Sequence, residues 1–319
     1  MIRSLARSPL TLVLLLVLLS TGCPDKGRKE SIQRANAGIK ALSAKQFDTA
    51  ITEFKDAIAA YKDNHYAHYL LGESYRGKKA FDKASEAYAE AVRLKPDNEM
   101  YQMIYGVSLY EEAVDRARED AARLQNKKPA EVEVDYSVID FDQAEQHLLA
   151  AVKINPNLYF EHAYLGRIYR ATGRPKEAAQ AFSKAIEANP REWAPYVALG
   201  ELYRRWDYPN EAIQVLTQGV ELVPGQVDKA ELDYVLGMAY TDKQDDAKAI
   251  EAFTAAIDAS KDKHIAKFMR GQAYFRQGNL KAADKDLEAY AKAAGASDAT
   301  NKSIAQKLRF SIGAKLQGG

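Results

Sequence analysis

Seven glycines recur along the sequence at nearly constant intervals. They are Gly38, Gly72, Gly106, Gly166, Gly200, Gly237 and Gly271, and four of the six intervals between them are identical to the step from Gly38 to Gly72. An alanine lies twelve residues after every one of these glycines except Gly106, at Ala50, Ala84, Ala178, Ala212, Ala249 and Ala283. A period between about 20 and 50 residues is typical of a solenoid, in which each repeat packs mainly against its neighbours. The sequence therefore predicts a series of similar units.

One unit, residues 159–190, predicts two antiparallel helices. Each half of the unit has one apolar helical face, made up of Leu165, Ile168 and Tyr169 in the first half and of Ala178, Phe182, Ala185 and Ile186 in the second. A Gly-Arg-Pro turn at 173–175 separates the halves, and Pro190 ends the second helix. Gly166 and Ala178 are small where the two helices approach, because a larger side chain there would push the backbones apart.

The order of small and large residues in this unit resembles the tetratricopeptide repeat, with Gly at position 8, Tyr at 11, Ala at 20, Phe at 24, Ala at 27 and Pro at 32. This resemblance implies an all-α fold, a right-handed α-α superhelix of about seven helix-pair repeats with a C-terminal capping helix. The expected units are 31–64, 65–98, 99–158, 159–192, 193–226, 230–263 and 264–297, followed by a capping helix with a frayed end at 298–319.

The terminal units depart from the pattern, as expected of repeats that close a stack. Arg34 and Ala41 stand where large apolar residues are usual, and Tyr290 and Gly295 replace Ala and Pro. Beyond the last unit, residues 299–316 predict a helix whose apolar stripe follows an i, i+4 spacing and covers the last repeat, with Ile304, Leu308, Ile312 and Leu316 as its members.

The third unit carries an insertion of twenty-six residues between Gly106 and Ala144. Its first portion, 110–129, predicts a continuation of the first helix, and the sequence AEVEVDYSVID after Pro129 predicts a loop or a short extended piece. Two interpretations remain open, a solvated excursion and a contact surface for a specific partner. Insertions in repeat proteins often lie on the binding face.

Residues 1–22 predict a targeting segment. Arg3 and Arg7 precede an apolar run at 10–19, which is too short for the roughly 20 residues of a membrane-spanning helix. The sequence LLSTGC resembles the lipobox of bacterial lipoproteins, with Ser20 where Leu is usual. The resemblance implies lipidation of Cys23, a tether over 23–30, and a place in the cell envelope at the outer membrane facing the periplasm. The alternative is a plain secretory signal.

Cysteine usage and charge limit the function classes further. Cys23 is the only cysteine, so no disulfide can form within the chain. Removal of residues 1–22 takes away Arg3 and Arg7 and leaves basic and acidic side chains almost equal in number, so the net charge gives no support to nucleic-acid binding. We therefore expect a protein or peptide partner and a membrane contact through the lipid anchor.

No sequence motif indicates catalysis, a cofactor or a metal. Four of the five histidines, all except His147, lie in the first turn of a unit, where packing explains them. His65 and His68 are spaced i, i+3, but no further ligand follows at a spacing typical of a metal site. The sequence has no phosphate-binding glycine loop, no GxSxG and no HExxH. We expect a protein that is not an enzyme.

The resemblance to tetratricopeptide repeats implies a partner-binding groove lined by the first helix of each unit. The expected groove residues are Tyr66, Tyr69, Arg76, Met100, Met103, Tyr110, Phe160, Arg167, Arg170, Arg204, Tyr234 and Phe268, with Glu201, Arg205, Met238 and Phe275 beside them. Aromatic residues, Met and Arg are enriched in binding hot spots. The arginines would form a basic strip beside the apolar residues, and the groove lacks the Lys and Asn residues of the family's carboxylate clamp.

The sequence therefore predicts a membrane-anchored scaffold or adaptor of the bacterial cell envelope. The resemblance to lipoproteins with tetratricopeptide repeats implies two specific roles, a pilotin-like role in envelope complex assembly and an adaptor for peptidoglycan hydrolases. A structural lipoprotein that binds no partner and an accessory subunit of an enzyme remain as further alternatives.

Overall fold

The computed structural model describes residues 26–295 and 298–317. The expected signal segment and Cys23 lie outside the described residues. All regular structure in this part of the chain is helical, with two 3₁₀ turns, Pro129–Glu131 and Tyr136–Val138, between α5 and α6. The helices are α1 (Lys26–Ser43), α2 (Phe47–Ala60), α3 (His65–Gly77), α4 (Phe81–Leu94), α5 (Glu99–Gln125), α6 (Asp142–Ile154), α7 (Tyr159–Ala171), α8 (Pro175–Ala188), α9 (Trp193–Arg205), α10 (Pro209–Leu222), α11 (Gln226–Asp242), α12 (Asp246–Ala259), α13 (His264–Arg276), α14 (Leu280–Ala293) and α15 (Ala299–Gln317).

Consecutive helices pack as pairs within two compact parts, one ending at Leu94 and the other beginning at Lys95. In the first part α1 packs on α2 and α3 on α4. In the second part the pairs are α5 with α6, α7 with α8, α9 with α10, α11 with α12, and α13 with α14, and α15 covers α14. The predicted all-α fold of tandem helix pairs is confirmed. Within the described residues, every helix is too short or too polar to cross a bilayer.

The recurring glycines lie where the first helix of a pair touches a large side chain of the second. A methyl group at Gly166 would come within 2.5 Å of Cε1 of Phe182, and one at Gly38 would come equally close to Phe54. The same glycine contact recurs against Tyr88, Leu148, Leu216, Phe253 and Leu287. Atoms never approach this closely without displacement, so only glycine permits the observed spacing of the helices.

A hydrogen bond that the sequence did not predict joins the successive pairs. The fourth residue of the first helix donates from its side chain to the backbone carbonyl six residues earlier, in the loop that precedes the helix. The donors and acceptors are His68 to Lys62 (3.1 Å), Gln102 to Pro96 (2.8 Å), His162 to Pro156 (2.7 Å) and Tyr196 to Pro190 (3.1 Å). Because a loop carbonyl has no helical partner, this bond satisfies it and fixes the entry into the next pair.

The beginning of α1 differs from the sequence prediction. The expected tether was 23–30, whereas α1 already begins at Lys26. The first turn of α1 has no acidic residue and carries Arg28, whose Nη2 donates to the Tyr61 hydroxyl at 3.0 Å. Sequence patterning missed this start because the first five residues of the helix, KGRKE, include no apolar residue.

The insertion in the third unit is mainly helical. Its first portion continues the first helix as predicted, so α5 has 27 residues against 13 in α7. The helix ends at Gln125, four residues before the predicted stop at Pro129, and Asn126, which follows it, is in the left-handed conformation with φ of 50°. Glu112 and Arg116 form an ion pair on its surface at 2.5 Å. The following segment, predicted as a loop or a short extended piece, is a loop that contains two 3₁₀ turns.

The apolar stripe predicted on the capping helix is only half correct. Leu308 and Ile312 pack against the last helix pair together with Ala305, whereas Ile304 and Leu316 are exposed. Four positions at i, i+4 drift by about 120° around a helix, so the outer two turn away from the buried side. The buried face follows the i, i+3, i+7 spacing instead.

We predict that Gly166→Ala destabilises the protein by about 1 to 3 kcal/mol, because the new methyl group overlaps the Phe182 ring. The matched control is Gly313→Ala in α15, where an added Cβ would meet nothing within 4 Å. We expect this control substitution to increase the free energy of unfolding by about 0.5 to 1 kcal/mol, since Ala favours the helix. Urea unfolding of the three proteins measures both effects, and an unchanged midpoint for Gly166→Ala would contradict the close approach.

Candidate partner-binding surface

Three of the predicted groove residues lie in the first part of the chain. Tyr66 and Tyr69 stack with their ring centroids 5.9 Å apart, and Tyr69 also contacts Tyr88 at 6.1 Å. Arg76 forms an ion pair with Glu73 at 3.6 Å within the same helix. These side chains are half-buried, so they combine packing with a surface that a partner can reach.

In the second part, Tyr110 joins α5 to α7 at the edge of the core. Its ring stacks on Phe141 at 5.0 Å and meets Tyr164 edge-on at 5.3 Å. Burial raises the pKa of the Tyr110 hydroxyl to about 12, and Arg167 and Arg170 act in the opposite direction. Met103 packs on the same cluster. Tyr110 and Met103 therefore form an apolar floor beside the α7 arginines.

The arginines of α7 and α9 are divided between paired and unpaired side chains. Arg170 reaches Glu201 at 3.5 Å, which links α7 to α9. Arg204 forms a bidentate pair with Asp242, at 2.5 and 3.2 Å, which links α9 to α11. These contacts place side chains of neighbouring first helices side by side. They also correct the prediction of a basic strip, because two carboxylates neutralise part of it.

Arg167 and Arg205 keep their charge uncompensated. Both side chains are exposed, and neither forms an ion pair with a carboxylate among the described residues. The Arg167 guanidinium lies 5.1 Å from the Tyr164 ring centroid, which holds it in a cation–π contact. Arg205 lines a shallow depression of about 320 Å³ together with Glu201, Arg204, Met238 and Asp242.

The apolar residues predicted for the groove differ widely in exposure. Phe160 is 46% exposed and Met100 is 37% exposed, so both are available for contact. Tyr234 is half-buried against Phe253, at 6.1 Å. Phe268 was predicted as a groove residue, but it is only 3% exposed and stacks on Tyr290 at 4.8 Å, so it belongs to the core.

We call the groove surface the part of the second compact unit that α5, α7, α9 and α11 present together. Its members are Met100, Met103, Tyr110, Phe160, Arg167, Arg170, Glu201, Arg204, Arg205, Tyr234, Met238 and Asp242. It offers exposed apolar side chains at the beginning of the helices and uncompensated guanidinium groups further along. This combination suits a partner segment with apolar and acidic side chains.

Three of the five histidines form hydrogen bonds that hold the fold together. His147 bonds through Nδ1 to Oε1 of Gln102 at 2.7 Å, and His68 and His162 make the loop bonds described above. Within residues 26–295 and 298–317, no three His, Cys, Asp or Glu side chains are grouped as a metal site would require.

The sequence did not predict that two acids, Glu161 and Asp233, are buried without an ion-pair partner among the described residues. Burial raises the pKa of Glu161 from 4.5 to about 7, a backbone hydrogen bond opposes that rise, and the charge of Glu99 adds to it. Burial likewise raises the pKa of Asp233 to about 6, against the effect of Lys229. Glu161 lies in the first turn of α7 and Asp233 near the middle of α11, and neither position carries a local sequence signal that neighbouring helices cover it.

Comparisons with known proteins agree on the fold. Family models described as the tetratricopeptide repeat match residues 36–99, 159–192 and 234–299, which make up just over half of the chain. No protein with a curated description matches the sequence significantly. A tetratricopeptide repeat protein from Parabacteroides merdae shares 13% identity, with 89% of this chain and 99% of that chain covered and a TM-score of 0.55. The Pseudomonas aeruginosa pilF structure shares 18% identity, with coverage of 74% and 95% and a TM-score of 0.54.

We predict that Glu161→Gln stabilises the protein at pH 8 and has little effect at pH 5. Because the folded-state pKa is raised, the stabilisation from protonated Glu161 is complete below about 4.5 and is lost as pH rises through about 7. The amide stays neutral at every pH. The free energy of unfolding of the variant should therefore exceed that of the natural protein by roughly 2 to 3 kcal/mol at pH 8. Glu187→Gln, at an exposed position of α8, is the control and should show no such difference. Equal pH profiles for all three proteins would contradict the burial of an ionisable Glu161.

Proposed function

Because the chain belongs to the tetratricopeptide repeat family, whose members generally mediate protein–protein interactions, we propose that it is a membrane-anchored scaffold of the bacterial cell envelope. The scaffold binds a partner segment on the groove surface and holds it close to the membrane. The protein performs no catalysis in this proposal. Its contribution is to position the partner.

We choose the groove surface as the binding site on one observation. Two uncompensated arginines lie there beside exposed apolar side chains. Arg167 and Arg205 have no carboxylate partner among the described residues, and Phe160 is exposed on the same helix as Arg167. A charge without a partner gains more from a ligand carboxylate than one that must first break an ion pair. The exposed aromatic ring supplies apolar area for affinity.

The membrane anchor is supported by the sequence around Cys23. With Cys23 lipidated, only Pro24 and Asp25 separate the anchor from Lys26, where α1 begins. Three residue steps span at most about 11 Å, against roughly 25 Å for the tether expected from the sequence. The repeat body would then work directly at the membrane face, at the outer membrane and towards the periplasm.

Within this scaffold class, a pilotin-like role in envelope complex assembly is the first candidate and an adaptor for peptidoglycan hydrolases is the second. Both follow from the resemblance to lipoproteins that carry tetratricopeptide repeats. The likeness to the Pseudomonas aeruginosa pilF structure concerns the fold, since the two chains share 18% identity. A structural lipoprotein without a partner is the outcome if no stoichiometric complex forms.

We predict that Cys23→Ala releases the protein from the membrane fraction, since stable attachment needs several acyl chains and one cysteine carries them all. Metabolic labelling with a palmitate analogue and membrane fractionation measure the two consequences together. A natural protein that incorporates no label would contradict the lipoprotein assignment, whatever its location.

We predict that charge reversal of Arg167 and Arg170 together to Glu reduces partner capture at least tenfold without loss of fold, since exposed charges add little to stability. The matched control reverses Lys176 and Lys184 on α8, two exposed lysines with the same total charge change. Quantitative pull-down from envelope extract and thermal unfolding compare the variants. If removal of 121–137 abolishes capture while the double arginine variant captures normally, the insertion is the binding site and the groove assignment is wrong.

A further inference from the structure

The segment that returns from α5 to α6 has an unusual composition. We call residues 131–140 the return segment, and acids and apolar residues alternate along it in the sequence EVEVDYSVID. Val132 and Val134 are half-buried, while Glu131 and Glu133 are exposed. At 131–134 the segment therefore directs its valines towards the protein and its glutamates towards solvent.

The return segment lies against one end of the groove surface. Ile139 packs on the apolar cluster that contains Tyr110, and Phe141, just beyond the segment, stacks on the Tyr110 ring at 5.0 Å. The Tyr110 ring meets Tyr164 of α7 edge-on at 5.3 Å, and the Arg167 guanidinium lies 5.1 Å from the centroid of the same Tyr164 ring. Phe141, Tyr110 and Tyr164 thus connect the end of the return segment to Arg167.

The acids of the return segment do not use the arginines of α7. Asp135 accepts hydrogen bonds from the backbone N–H and the hydroxyl of Ser137, at 2.9 and 2.6 Å, and Asp140 accepts one from the backbone N–H of Asp142 at 2.9 Å. Glu131 and Glu133 form no ion pair with any described residue. The segment therefore occupies the Tyr110 end of the surface and leaves the charge of Arg167 uncompensated.

The attachment of the segment is also weak. Tyr136 is 39% exposed and Val138 is 78% exposed, so little apolar area is withdrawn from water. A segment with few buried contacts opens easily. A ligand that covers the same apolar sites and also pairs with Arg167 and Arg205 would bind in its place.

We propose that the partner of the groove surface is an extended protein segment in which acidic and apolar residues alternate, and that the return segment, which has this composition, occupies the Tyr110 end until the partner displaces it. This proposal rests on the proposed function of the groove surface and adds the chemical class of the partner. An internal competitor acts at an effective concentration near the millimolar range, so it lowers the apparent affinity for a ligand of its own kind.

The test uses a synthetic fluorescent peptide with the sequence of residues 130–141 and the chain from Pro24 onward. In a first variant, a Gly-Ser linker of equal length replaces 130–139. We expect the peptide to bind the linker variant at least tenfold more tightly than the unchanged chain, because the competitor is gone. Arg167→Glu in the linker variant should remove this binding, and a peptide with Gln and Asn in place of its acids should bind at least tenfold more weakly.

Point variants of the unchanged chain keep the test independent of the linker. Ile139→Ala should tighten peptide binding about threefold, since its side chain packs on the apolar cluster beside Tyr110, whereas Val138→Ala, at the exposed neighbouring position, should leave it unchanged. Equal affinity of the peptide for the linker variant and the unchanged chain, or binding that ignores Arg167→Glu, overturns the proposal. If the peptide does not bind but partner capture still depends on Arg167 and Arg170, the proposed function stands. The partner segment then has a composition other than alternating acidic and apolar residues.

Discussion

The contact between a glycine of one helix and a large side chain of its partner helix sets the geometry of every helix pair. Gly166 lies against the Phe182 ring so closely that a single added methyl group would overlap it, and the same arrangement returns from Gly38 against Phe54 to Gly271 against Leu287. The close approach fixes which face of each first helix is buried. The opposite face carries the side chains of the groove surface, of which Met103, Tyr110 and Tyr234 also pack at the edge of the core.

The sequence predicts the helix pairs well because their packing depends on side-chain volume at a fixed spacing, which a sequence records directly. It predicts the groove surface less well, since exposure and ion pairing depend on residues far apart in the chain. Arg170 meets Glu201, and Arg204 meets Asp242. Neither pair has a spacing that marks it in the sequence. Phe268 shows the same limit, because an aromatic at a groove position is buried when the neighbouring helix supplies Tyr290.

The insertion combines both cases. Helical periodicity predicts the extension of α5, but its end depends on the left-handed conformation of Asn126, for which glycine is the commoner signal. The position of the return segment beside Tyr110 has no local sequence signal, since it arises from contacts of Ile139 with a cluster assembled from several helix pairs. The sequence allows two interpretations of the insertion, a solvated excursion and a partner contact. In the structure its return segment lies beside the candidate site.

Site-specific photocrosslinking in living cells tests most directly whether a partner binds on the groove surface. A photoreactive amino acid replaces Phe160 on α7 in one strain and Lys184 on α8 in another, both at exposed positions of the same helix pair. We predict a partner adduct of defined mass from position 160 and none from position 184. An adduct from position 184 alone would contradict binding on the groove surface.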